Sequence, residues 1–223
     1  MIGAVIFTAL VRFAADPANA YWAHTLSYVT LCAASSAMAI AIGVALGAAV
    51  ARRPVLAFLA VNTSGIMRAV PVIAFLAVAI PYLGLGFRPA VVALTLLGIP
   101  PVLLNTSTGI RGIDPAVIDA ARGMGMTPWQ VLTRIQTPLV LPVIAAGART
   151  AAVQIVATAT LAAIIGAGGY GEYILSGLYQ VDSTQILAGA VPVAVLAILI
   201  ELGLSWVQYL VTPLGLRRQR PAG

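Results

Sequence analysis

Apolar residues run along this chain in five long stretches, roughly 26–50, 55–83, 90–110, 139–165 and 186–211, separated by short polar or proline- and glycine-marked segments. A helix needs about 20 apolar residues to cross a hydrocarbon core, so each stretch predicts a spanning helix. Two stretches carry no ionisable residue, and the others carry one each: Arg68, Arg149 and Glu201. Pro71, just after "NTSG", predicts a kink in the second stretch. Pro81, Pro100, Pro101 and Pro192 are tolerable because neighbouring helices re-satisfy freed backbone groups in a bundle. The opening residues, "MIGAVIFTALVRF", are apolar but too short to cross at about 1.5 Å per residue, which predicts a helix lying at the interface. "ANA" at 18–20 looks like a leader-cleavage site. The lack of a positive n-region and the interruption by Arg12 argue against cleavage.

Composition agrees with the pattern. The 223 residues are 61% hydrophobic and 8% charged, with mean hydropathy +1.03; a soluble domain carries about a quarter charged residues. The net charge of +6 comes from twelve arginines against six acids, without a single lysine. With the loop at 51–54 placed inside, Arg52, Arg53, Arg111, Arg122, Arg134, Arg217, Arg218 and Arg220 fall on the inner side, against Arg12 and Arg88 outside. That bias predicts a multi-pass membrane protein with its N-terminus outside and C-terminus in the cytoplasm. The absence of lysine also excludes a nucleotide-hydrolysing P-loop, which needs that residue on the outer phosphates. Cys32 is the single cysteine, so an intrachain disulfide is excluded. The expected organisation is an N-terminal interfacial segment at 1–23, one spanning domain at 24–211 and a basic tail at 212–223.

Between the third and fourth stretches lies a polar insert, "GIDPAVIDAARGMGMTPWQVLTRIQTP", residues 112–138. It holds two of the six acids and two of the twelve arginines. Asp114-Pro115 suits a helix start, with a carboxylate for an orphan N–H and proline at the first helical position. Gly123 and Gly125 supply a stop and a turn. Thr127-Pro128-Trp129-Gln130 fits a capping box. The second helix would place Trp129, Leu132 and Ile135 on one face, with Pro138 ending it. The insert is thus expected to fold as two short, stiff helices at a bend, either lying on the bundle or protruding to dock with a cytoplasmic partner.

The spacing Asp119-Ala120-Ala121, then Gly125, then Ile135 and Pro138 resembles the EAA loop of bacterial ABC importer permeases of the MetI-like type. That loop reads E-A-A-x-x-x-G, nine residues, then I-x-L-P; here Asp119 stands for glutamate and Thr137 for leucine. "RAVPVIAFLAVAIPYLGLGFRPAVVAL", "PPVLLNTSTGIRGIDPAVIDAARGMGM" and "ATLAAIIGAGGYGEYI" extend the likeness over roughly 24–211, most closely to permeases for glycine betaine, choline and carnitine. The resemblance implies an all-α integral membrane protein with a five-helix permease core and a cytoplasmic coupling-helix pair. It further implies a second permease copy, an ATPase dimer carrying ATP and Mg, and an extracytoplasmic substrate-binding protein. Asp119, Ala120, Ala121, Gly125, Met126, Trp129, Ile135 and Pro138 would be the ATPase-coupling residues. No catalytic residue, metal or cofactor is expected on this chain.

Other signals are weaker. "GAGGYG" at 166–171 matches a dinucleotide fingerprint in letters, but it follows a spanning helix and lacks the acid about 20 residues on. These glycines are expected to end the fourth span and turn the chain at the outer mouth. Gly43 and Gly47 form G-x-x-x-G, which fits packing inside this subunit or against a partner. A DNA-binding helix-turn-helix reading of the insert fails because its second helix has one arginine and runs into a span. Arg68, Asn105, Arg149 and Glu201 are candidates for the pathway or for an intramembrane pair. The run Asn105–Thr108 also fits local bonding to its own helix. His24, beside Tyr21 and Trp22, reads as part of an aromatic belt, and no aromatic cluster is evident as an ammonium cage. The alternatives are an ion-coupled secondary transporter, which would want intramembrane acids and a repeat, and an importer permease for another small solute such as an amino acid.

Overall fold

The computed structural model describes residues 2–69 and 71–213, and the described residues are helical throughout, joined by short turns. The chain begins with α1 (Ile2–Ala15), which packs on the last helix, α10 (Ser183–Val211). A 3₁₀ turn at Pro17–Asn19 follows, held by the Asp16 carboxylate accepting from the Ala18 N–H at 2.9 Å. The long helix α2 (Tyr21–Ala51) then runs unbroken, starting five residues before the predicted stretch, until Arg52-Arg53-Pro54 ends it.

The second predicted span is not one helix. Pro71 divides it into α3 (Pro54–Ala69) and α4 (Val72–Leu83). The physical reason is the proline's missing N–H and its clash with the carbonyl a turn earlier; Pro71 takes an extended ψ of 127° and starts α4. Gly84 and Gly86, at φ +76° and +103°, then turn the chain into α5 (Phe87–Arg111). Pro100 and Pro101 are buried inside this helix without ending it.

Among the described residues, four helices are long and apolar enough to cross a membrane: Pro17–Ala51, Phe87–Arg111, Pro128–Ile165 and Ser183–Val211. Their packing uses small residues, as expected where lipid competes equally for apolar surface and only close backbone approach gains contact. Ser35, Ala39, Gly43 and Gly47 form the buried stripe of α2. A Cβ on Gly43 would meet Val102 at 2.6 Å, and one on Gly47 would meet Thr106 at 2.6 Å. The G-x-x-x-G motif therefore serves packing within this subunit, against α5. Because four residues along α2 match four along α5 in the same direction, the two helices run parallel.

Helix α8 (Thr137–Ala159) runs antiparallel to α5: Gly109 lies beside Val140 and Val143, while Gly98 lies beside Ile155. The central crossing is at Gly147, where a Cβ would stand 2.7 Å from Asn105 Cβ and 2.9 Å from the Pro101 carbonyl oxygen. The core around these crossings includes Tyr28, Leu31, Leu94, Ile155, Val156 and Ile165.

Beyond α8 the chain tightens into a 3₁₀ segment, Thr160–Ile165, and turns through Gly166, Gly168 and Gly169, all at positive φ. The glycine-rich stretch does end this rod, as expected. It is followed by a helix the hydrophobic pattern did not predict, α9 (Tyr170–Gln180), which forms an antiparallel hairpin with α10: Gly177 meets Ile186, and Gly189 meets Tyr170 and Ile174. Only Ala188 and Gly189 of α10 are buried, whereas Ile198, Leu199, Leu202, Trp206 and Leu210 are exposed.

Candidate functional site

The polar insert folds into an elbow. Its first arm, α6 (Pro115–Gly123), starts on Asp114, whose Oδ1 accepts the Ala116 N–H at 2.9 Å, with Pro115 at the first turn. Its end is closed by paired bonds: Gly125 N–H donates to Arg122 O at 2.9 Å and Met126 N–H to Ala121 O at 3.2 Å. This double closure requires its first donor residue to be left-handed, and Gly125 meets that need at φ +79°. The spacing of Ala121 and Gly125 thus has a backbone cause: the alanine carbonyl and the glycine are two parts of one helix stop.

The second arm, α7 (Pro128–Gln130), opens with the expected capping box. Thr127 Oγ1 accepts from Gln130 N–H at 3.3 Å, and Gln130 Oε1 accepts from Thr127 N–H at 2.8 Å. Here one expectation fails. Pro138 does not end this arm; the helix continues through a π-helical turn, Val131–Gln136, into α8. The wider π turn shifts the bonding register, and the Thr137 hydroxyl donates to Leu132 O at 2.8 Å, five residues back. Pro138 falls in the first turn of the restarted α-helix, where its missing N–H costs little.

The predicted coupling residues divide by environment. Asp119, Ala120 and Gly125 are exposed, Met126, Ile135 and Pro138 are half-buried, and Ala121 is buried at 1%. Val131 points inward at 3%, while Met124 and Trp129 stand out at 74% and 71%. The second arm is thus tied down by Val131 rather than by the Trp129 face. Between the elbow and the end of α2 opens a cleft of about 740 Å³, lined by Ala48, Arg52, Ile110, Arg122, Trp129 and Val140 among others. Arg52 was not marked by the sequence because it lies 70 residues from Arg122.

The membrane-depth candidates separate. Arg149 Nη1 lies 3.3 Å from Glu201 Oε1, joining α8 to α10. Asn105 instead donates to Pro101 O one turn back on its own helix, at 2.8 Å, and Thr108 donates to Leu104 O at 2.7 Å. The Arg68 side chain lies outside the described residues, as does the arginine-bearing tail at 214–223.

At the opposite end of α2 the structure assembles an aromatic cluster that the sequence did not reveal. Tyr21 stacks on Tyr173 at 5.8 Å, Tyr28 meets Tyr170 at 5.1 Å, and Phe13 meets Tyr173 edge-on at 5.3 Å. His24 packs on Tyr173 at 4.8 Å and faces Glu172 at 3.5 Å. The hydroxyls are tied to the protein: Tyr28 donates to Val156 O, Tyr170 to Thr25 Oγ1 and Tyr173 to Asn19 O. Burial, with Tyr21 nearby, pushes the Tyr173 hydroxyl up to about 12, so it remains a donor at neutral pH. Packed ring on ring, this cluster clamps α2, α9 and α1 rather than enclosing a ligand.

The family model described as "Binding-protein-dependent transport system inner membrane component" matches residues 39–214. The chain is 37% identical over 215 residues to the carnitine transport permease protein OpuCB of Listeria monocytogenes, covering 96% of this chain and 99% of that one. It is 40% identical over 190 residues to the glycine betaine/carnitine/choline permease OpuCB of Bacillus subtilis, covering 85% and 87%. It is 35% identical over 212 residues to the osmoprotectant import permease OsmW of Salmonella typhimurium, covering 93% and 99%. In fold it is similar to a chain of the inward-facing MetNI methionine ABC transporter, with TM-score 0.76, 22% identity and coverage of 89% and 100%.

Proposed function

The chain belongs to the family of binding-protein-dependent transport system inner membrane components, and we propose that it is the permease subunit of an ATP-driven importer for quaternary-amine osmoprotectants. The substrate class is taken from the names of the relatives, which are aligned along nearly the whole chain. The observation that carries the coupling role is the elbow. It is capped at both starts and closed at Gly125, it exposes Met124 and Trp129, and it runs without a break into α8. A protrusion of this kind passes on the displacement it receives instead of absorbing it.

In this reading the core has five crossings, with α3 and α4 together forming one broken crossing. The parallel run of α2 and α5 supports it, because the chain between Ala51 and Phe87 has to return to the side where α2 began. The arginine distribution supports a cytoplasmic elbow, an outside N-terminus and an inside C-terminus. The partners would be an ATPase dimer holding ATP and Mg, an extracytoplasmic binding protein, and a second permease, identical or homologous. Asp119, Ala120, Ala121, Gly125, Met126 and Trp129 would meet the ATPase, while Ile135 and Pro138 join that contact to the span. ATP binding would draw the two elbows together and open the spans outward, and hydrolysis would reset them. Each state must be favoured by contacts it alone makes. The ion-coupled alternative is disfavoured because Glu201 is already paired with Arg149.

The test is reconstitution in liposomes with the partner ATPase and binding protein, measuring uptake of labelled glycine betaine, choline and carnitine. Uptake should require ATP inside and all partners, and a photo-crosslinker at Trp129 should capture the ATPase. Gradient-driven uptake by this chain alone would overturn the proposal in favour of a secondary transporter.

A further inference from the structure

Arg149 and Glu201 form their ion pair while remaining 29% and 47% exposed. Their depth follows from the packing. Val140 of α8 lies beside Gly109 near the inner end of α5, and Arg149 stands nine residues further on, about 14 Å along a helix. Glu201 stands ten residues before the end of α10 at Val211, about 15 Å from it. Both charges therefore sit at hydrocarbon depth. A charged group facing lipid there is costly, and such groups face a bundle interior or a wet cavity. This chain does not bury them.

A second observation shows which way the wet side runs. Along α10, Glu201, Ser205 and Gln208 follow at intervals of four and three, the repeat of one helix face, and Thr212 caps the helix just beyond its end. All four are half-buried, whereas Leu202, Trp206, Val207, Tyr209 and Leu210 are exposed and apolar. The polar stripe thus lies on the side of α10 that carries the bridge to α8, and it descends from the ion pair to the inner end of the helix.

We propose that Arg149 and Glu201, with the stripe Ser205–Gln208–Thr212, line the inner half of the substrate route and sort substrates by charge pattern. This rests on the reading of the chain as a quaternary-amine permease. A quaternary ammonium has no N–H to donate, so it is attracted by net charge, which the Glu201 carboxylate supplies. A carboxylate on the same substrate matches the Arg149 guanidinium, whose fork favours that group. A zwitterion can replace both halves of the ion pair at once, leaving neither protein charge unpartnered. A cation lacking a carboxylate engages only Glu201.

The experiment uses the complete reconstituted complex with saturating glycine betaine or choline. Arg149→Gln should lower the ratio of betaine to choline uptake about tenfold, the scale of one lost charge-assisted bond, and Glu201→Gln should depress both substrates. Equal losses for both substrates in Arg149→Gln would reduce the pair to a brace and overturn the proposal. A second measurement leaves the pair intact. In a Cys32→Ala background, Ser205→Cys should react with a water-soluble trimethylammonium thiol reagent, and more slowly when betaine saturates the complex. An unreactive thiol in the Ser205→Cys variant, in a complex whose wild type still takes up these amines, sinks the route alone. A wild type that takes up none of them sinks the functional reading instead.

Discussion

Replacing Gly125 separates backbone strain from partner contact, because the structure makes the two effects independent. Its φ of +79° is one that an L side chain adopts only at a cost, about 1–2 kcal/mol. Yet a Cβ built there meets nothing within 4 Å. Inside this subunit, Gly125→Ala and Gly125→Trp should therefore cost about the same. For a chain of this length 1 kcal/mol moves the melting temperature by roughly 2–4 °C, so both should melt a few degrees lower. Gly125→Asn should recover part of the loss, since asparagine tolerates the left-handed region. The functional consequences should diverge. In the assembled complex Gly125→Ala retains at least half of wild-type uptake, while Gly125→Trp abolishes both uptake and transport-coupled ATP hydrolysis. Three measurements on matched proteoliposomes decide it: thermal melting, uptake and ATPase rate. A tryptophan variant that transports like the alanine variant would refute the claim that this surface is pressed against another subunit. Complete loss of uptake in Gly125→Ala would trace the requirement to the backbone angle alone.

Gly147→Val should prevent α5 and α8 from closing, because its side chain would enter space held by Asn105 and the Pro101 backbone. The variant should accumulate poorly in the membrane and melt several degrees lower or more, as overpacking of this kind costs about 1–3 kcal/mol or more when backbone blocks relaxation. Tyr28→Phe removes a hydroxyl bonded to Val156 O but keeps the ring in its buried site. It should cost about 0.5–1.5 kcal/mol, visible as a small fall in melting temperature with uptake preserved.

What could be read before folding was whatever is encoded locally. Asp114 and the Thr127–Gln130 pair act on backbone two or three residues away, so the residue order alone located both helix starts. The apolar stretches located the four long helices to within a few residues, and Pro71 marked where the second stretch breaks, though as a division into two helices rather than a kink in one. Pro138 misled for a related reason: a proline normally breaks a helix, and only the π turn before it lets this one pass. Helix α9 was missed although Tyr170, Tyr173, Ile174 and Gly177 stand at helical spacing, because a single apolar face in eleven residues falls below the length of a span. Arg149 and Glu201 were legible as candidates for an intramembrane pair, but which candidates meet was not, and the aromatic cluster could not be read at all, since the members lie on helices that meet only in the folded bundle.

The π turn joins α7 to α8 and the 3₁₀ segment to form one rod from Pro128 to Ile165, and Gly147 sets where that rod leans on α5. From that point the two arms are of similar length, 19 and 18 residues, each about 28 Å. Around that point α8 lies along α5 from Val140 to Ile155, so the two helices form one stiff unit. A pull on the elbow would therefore reach the far end of the rod together with α5, and a methyl at position 147 would loosen that joint between the two faces of the membrane.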